Sequence, residues 1–175
     1  MLTLPTGRCT AVPLSTTTLQ MQTRKGPLKT SITSVPSGEG IELGPCMMVV
    51  PADQGVPTPS LYRRYIKGSQ SCRAREPVVG IVRTKVLNSP DRVAVTGSRH
   101  TGTRFAVDIE VRRYDGPLAA NDPWVALILV ELGSLEPGTY RLVVQETVLR
   151  FRELHQPARA TDPKATEQHM NFTCV

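Results

Sequence analysis

The chain has 175 residues, enough for one domain with a tail or two small domains, and long enough to bury a core without a metal or a disulfide. Hydrophobic residues make up 39%, Pro (15) and Gly (13) are many, and Val and Thr abound, which leans the chain toward an all-β fold; no stretch approaches the roughly 18 apolar residues of a spanning helix. The formal charge of +6 resides in residues 1–75, where nine Lys or Arg stand against Glu39, Glu42 and Asp53, so attraction to a polyanion belongs to that half.

Residues 1–29 are rich in Thr, Pro and Gln without periodicity and read as a disordered leader before a single domain over 30–175. The start lacks a basic region followed by an apolar run, so no signal peptide is visible; a cytosolic protein and a piece of a longer exported precursor both remain open. TSITSV (30–35) is the first strand, ended by Pro36-Ser37-Gly38. CMMVV (46–50), between two prolines, fits a buried or edge strand. Residues 51–60 form a loop.

SLYRRYIKGSQSCRARE (60–76) reads as a helical turn, a strand or irregular chain. It holds the strongest candidate binding site. Arg63, Arg64, Lys67, Arg73 and Arg75 interleave with Tyr62 and Tyr65, as cations and stacking rings do where nucleic acid is held. No nucleic-acid module signature accompanies them, and a solvated basic surface explains the same pattern.

From residue 77 the strand signals sharpen. VVGIVRTKVL (78–87) is a strand, NSPD (88–91) a turn, RVAV (92–95) a strand and TGSRHTG (96–102) a Gly-bounded connection. In GTRFAVDIEVRRY, Phe105, Val107, Ile109 and Val111 alternate with Arg104, Asp108, Glu110 and Arg112, giving one buried and one wet face. After the loop 116–123, WVALILVEL (124–132) is apolar on both faces; a helix starting after Asp122-Pro123 would explain it, but the nine residues between Pro123 and Gly133 are short for one and rich in β-formers, so a central strand headed by Trp124, a structural residue, is preferred. After Val144 the apolar phase changes from Tyr140, Leu142 and Val144 to Leu149 and Phe151, which calls for a bulge near Gln145–Thr147 or a break. HQPARATDPKATEQH (155–169) is a long polar loop, and MNFTCV (170–175) is a terminal strand.

Between the central strand and the next, Leu135-Glu136-Pro137-Gly138-Thr139-Tyr140 turns the chain. This segment resembles the tyrosine corner of immunoglobulin-like and fibronectin type III sandwiches. The spacing is one residue shorter than the fibronectin form, and Cys46 and Cys72 both precede Trp124, outside any Cys…Trp…Cys order. The resemblance implies an all-β, antiparallel two-sheet sandwich of seven or eight strands. In it Pro137 and Gly138 shape the turn, and the Tyr140 ring is buried with its hydroxyl bonded to upstream backbone.

No enzyme motif is present. Ser98 and His100 share a turn without an orienting third group. Asp108 and Glu110 share a strand face with Arg104 and Arg112, which neutralise them. His155, His169, Asp162 and Glu167 are the only weak metal-ligand grouping. Cys9, Cys46, Cys72 and Cys174 allow three full pairings; buried thiols, or a disulfide of Cys46 or Cys72, both fit. Neither catalytic residues, nor a metal, nor a cofactor is expected. The expected role is a noncatalytic module that binds a protein or other macromolecule through loops or an edge strand. A polyanion-binding domain is the second expectation, and a small hydrolase the third.

Overall fold

The computed structural model describes residues 26–36, 46–54, 70–117, 122–152 and 159–175. Ten strands lie in them: β1 (Thr30–Pro36), β2 (Cys46–Pro51), β3 (Gln70–Cys72), β4 (Pro77–Arg83), β5 (Leu87–Asn88), β6 (Arg92–Thr101), β7 (Arg104–Tyr114), β8 (Pro123–Ser134), β9 (Gly138–Phe151) and β10 (Arg159–Cys174). They form two packed sheets. The first runs β1-β8-β4-β2 with β5 beside β8, and the second β3-β10-β9-β7-β6. The protein is an all-β sandwich. No helix of the described residues is long and apolar enough to cross a membrane.

Alternation builds the core. Phe105, Val107 and Ile109 of β7 are at most 1% exposed and pack with Leu142 and Val144 of β9 and Ile128 and Val130 of β8 between the sheets, while Val111, equally buried, lies in a smaller cluster with Leu87 and Ala126. Gly80 of β4 faces this layer. A Cβ there would lie 3.1 Å from Leu142 Cδ2, so the missing side chain lets the sheets approach. The apolarity of β8 on both faces has a direct cause. Its odd residues Val125 and Leu127 pack with Met48, Val50 and Ile81 in a second buried cluster on the opposite side of the first sheet. Trp124 joins a third, smaller cluster beside Leu87 and Val111.

Several expectations need correction. The sandwich is not wholly antiparallel: β9 lies parallel to β7 over eleven residue pairs, and β3 parallel to β10 over three. The described strands number ten rather than seven or eight. No bulge or break interrupts 145–147. The β7–β9 register is continuous, so Glu146 points inward beside Ile109 and is buried, while Leu149 and Phe151 take the outer face, where Phe151 meets the Tyr114 ring at 5.4 Å. Residues 96–101 are not a connection but the second half of β6, and the irregularity lies between Val95 and Gly97. Most of the expected 155–169 loop belongs to β10, which pairs with β9 at Arg159 and, after a register shift, from Lys164 to Cys174. Of the leader, residues 1–25 lie outside the described residues. Its last residues join the sandwich: Gly26 bridges His100, and the Leu28 backbone exchanges hydrogen bonds with Ser98 Oγ at 3.0 and 2.9 Å.

Cys72 and Cys174 form a disulfide between β3 and β10, and Cys46 is a buried free thiol. Burial pushes the Cys46 thiol above its ordinary value of 9.0, outweighing the neighbouring Arg83, whose charge and hydrogen bond pull it down. Tyr140 is also raised above 10.0, first by burial and then by the Glu136 charge, against its own backbone hydrogen bond. Both shifts favour the neutral group in the folded state. Stability from them is complete below the unfolded values and is lost as pH rises through the folded ones. Unfolding measured by urea from about pH 8 to about pH 11 is therefore expected to lose stability above pH 9.0, with a shallower fall in Cys46→Ala. Equal slopes in the two proteins would remove Cys46 as a contributor.

Candidate interaction edge

Among the described residues the strands ending the two sheets are β1 and β2 in the first and β3 and β6 in the second, with the two-residue β5 beside β8 also open on one side. Unpaired N–H and C=O groups on such edges invite another chain, so proteins usually blunt them. β2 is closed by a side chain: Val49 N donates to Gln70 Oε1 at 2.6 Å, and Gln70 Nε2 donates to the Met47 carbonyl at 3.3 Å. β3 has three residues and is fastened by its disulfide. β6 is irregular at Val95–Gly97, carries Arg92 and Arg99, and is met at one end by Gly26 and Leu28.

Among the described residues β1 carries none of these devices. Its sequence TSITSVP has no charged residue, and its register with β8 runs without shift from Thr30↔Val130 to Pro36↔Trp124. Just before it, Glu131 N donates to the Lys29 carbonyl at 2.9 Å, and the Lys29 ammonium meets Glu131 Oε1 at 2.7 Å. In an antiparallel ladder, hydrogen-bonded and non-bonded pairs alternate. Lys29 opposite Glu131 is a bonded pair, so Ser31, Thr33 and Val35 face β8. The N–H and C=O groups of Thr30, Ile32 and Ser34 point away from it, and no strand of the described residues takes them. Residues 31–34 are exposed. Ile32, at 40%, and the terminal Val175 are the exposed large apolar side chains among the described residues. A groove of about 440 Å³ opens at the start of the same strand, lined by Lys29, Ser31, Val79, Leu129 and Glu131 among others.

The basic segment is placed only at its end. Tyr62, Arg63, Arg64, Tyr65 and Lys67 lie outside the described residues. Arg73 and Arg75 follow β3, both exposed and each beside a carboxylate: Arg73 at 3.6 Å from Glu76 and Arg75 at 3.4 Å from Glu136. A cleft of about 680 Å³ opens beside them, and its lining includes Asp53, Ser71, Arg73, Glu76 and Val175.

The other residues singled out by sequence have packing partners. His100 stacks on Phe105 at 4.2 Å, and its Nε2 donates to the Gly102 carbonyl at 2.7 Å. Asp108 pairs with Arg99 at 2.5 Å and Glu110 with Arg112 at 2.6 Å. His155 lies outside the described residues, as does the Asp162 side chain. Among the described residues no three His, Cys, Asp or Glu side chains converge as metal ligands. Tyr140 is buried, its ring 5.6 Å from that of Phe172, and its hydroxyl donates to the Glu136 carbonyl at 2.9 Å. Gly138 has φ +157°, and Leu135 at the same turn is buried.

The capping of β2 by Gln70 and the openness of β1 were not readable from the sequence. TSITSV announced a strand, but which strands are edges depends on pairings a hundred residues apart. The absence of charge over 30–36 was the available signal. No protein-family model matches the chain, nor does any curated protein or solved structure.

Proposed function

We propose that the protein is a noncatalytic recognition module whose binding element is the free edge of β1, and that it takes an extended peptide segment as an added strand. One observation carries this reading: a regular, uncharged edge strand whose outward donors and acceptors at Thr30, Ile32 and Ser34 are unpaired by any described strand, while β2, β3 and β6 are capped, short or irregular. In strand addition, main-chain hydrogen bonds supply affinity and alternate side chains supply selectivity. Exposed Ile32 would favour an apolar or β-branched residue opposite it.

The immunoglobulin-like relationship belongs to this reading as well. What supports it is the buried Tyr140 ring with its hydroxyl on the Glu136 carbonyl. The parallel β7–β9 pairing departs from the antiparallel sheets of those domains.

Panning a phage-displayed random peptide library on the intact protein is expected to return extended, β-branched sequences. Ser34→Pro removes one outward N–H without touching a bond to β8, and is expected to weaken the selected peptides roughly tenfold. An empty selection, or peptides indifferent to Ser34→Pro, would remove the β1 edge as the binding element.

A further inference from the structure

The same strand carries information about its partner. Thr30-Ser31-Ile32-Thr33-Ser34 has nearly the same chemistry in both directions, with hydroxyl, hydroxyl, aliphatic, hydroxyl, hydroxyl about Ile32. The residues with outward-pointing backbone groups are Thr30, Ile32 and Ser34, placed symmetrically about the same centre. A two-fold interface is self-complementary: the same patch serves on both partners, and residue i of one meets residue j of the other reciprocally.

Resting on the edge reading above, we propose that the segment recognised by β1 is β1 of a second copy of this chain, paired antiparallel about a two-fold axis at Ile32. In that register Thr30 faces Ser34 of the second copy, Ser34 faces its Thr30, and Ile32 faces its counterpart. Each facing pair is of the hydrogen-bonded kind, so about six backbone hydrogen bonds close across the axis. The exposed Ile32 side chain meets its own kind, and hydroxyl residues oppose hydroxyl residues, both favourable cross-strand pairs. No charge faces a like charge, because Lys29 comes opposite Val35 of the second copy. Pro36, which has no N–H, ends the ladder. The two first sheets become one continuous sheet, and both β1 edges disappear.

The contact involves one short strand from each copy, well below the area of a standard stable interface, so the dimer is weak and concentration-dependent. Sedimentation equilibrium of the full, oxidised chain over roughly 10 μM to 1 mM is expected to show the mass rising from 19.2 kDa toward twice that value. Ile32→Lys sets two cations against each other on the axis and is expected to hold the mass at one chain throughout. Ser34→Pro is expected to shift the midpoint upward at least about tenfold in concentration. Thermal melts confirm that each variant folds; Ile32 is 40% exposed, so Ile32→Lys tests the contact even where Ser34→Pro disturbs the strand. A wild-type mass fixed at one chain up to about 1 mM, or an Ile32→Lys variant that still dimerises, overturns the self-pairing. In either case, selected peptides that still bind and still depend on Ser34 leave the edge reading standing, so the two failures are distinguishable.

Discussion

Reducing the Cys72–Cys174 disulfide is expected to lower the unfolding free energy by about 4–5 kcal/mol. The bridge closes a loop with a sequence separation of 102 residues, and in the chain-entropy treatment the benefit grows with the logarithm of that length. The bridge also acts locally. β3 is three residues long and touches its sheet only through β10; beyond the bridge, the backbone bonds Val175 N to Cys72 O (3.0 Å) and Ala74 N to Val175 O (2.8 Å) continue the clasp. A domain typically has about 5–15 kcal/mol of stability in all, so the loss is a large fraction. Urea titrations with and without reductant, and of the Cys72→Ser/Cys174→Ser double variant, measure it. The two forms lacking the bridge should agree. Thiol counting in denaturant without reductant should find fewer than the chain's four cysteines, with Cys46 free and Cys72 and Cys174 blocked. Four thiols, or a urea midpoint that ignores reductant, would show that the bridge is absent or idle.

Phe105→Ala is expected to cost about 3–5 kcal/mol, the usual range for emptying a fully buried phenyl site. Phe105 has no exposed surface and sits where the main core is most aromatic. The His100 ring stacks on it at 4.2 Å, and the Tyr140 and Phe172 rings lie 6.1 and 6.4 Å away. These rings come from four different strands of one sheet, so collapse around the vacancy would have to move β6, β9 and β10 together. For a chain of this size the melting temperature should fall by roughly 6–20 °C. Arg104→Ala, one residue away on the wet face with its side chain half exposed and 3.9 Å from Glu167, should stay within about 0.5 kcal/mol. Equal effects from the two substitutions would contradict the inward and outward assignment of β7.

Local pattern announced local structure well. The Phe105–Val111 alternation, the two-faced apolarity of Val125–Leu132 and the buried Tyr140 all express side chains whose surroundings follow from period two. Glu146 disguises its strand. A carboxylate on the inner face looks like a phase change, yet β9 runs straight through it, because eleven continuous pairs with β7 outweigh one unfavourable position. The Gly97-Ser98-Arg99-His100 stretch looked like a turn because its polar residues find remote partners: Ser98 bonds Leu28, seventy residues away, and Arg99 bonds Asp108 and Gln145. The parallel pairs could not be seen at all, since nothing in the periodicity of Arg104–Tyr114 distinguishes a parallel neighbour from an antiparallel one. The candidate edge was half legible, its composition being local and its openness a property of topology.

The pairing of β1 with β8 also bears on how the chain is made. Thr30 faces Val130, so β1, once out of the ribosome, must wait for about a hundred more residues before its neighbour exists. At ordinary elongation rates of about 5–20 residues per second, that interval is on the order of 5–20 s. Throughout it, an uncharged hydroxyl-rich ribbon hangs from the nascent chain with both sides unsatisfied. On a polysome, adjacent nascent chains would offer one another the same ribbon during that interval.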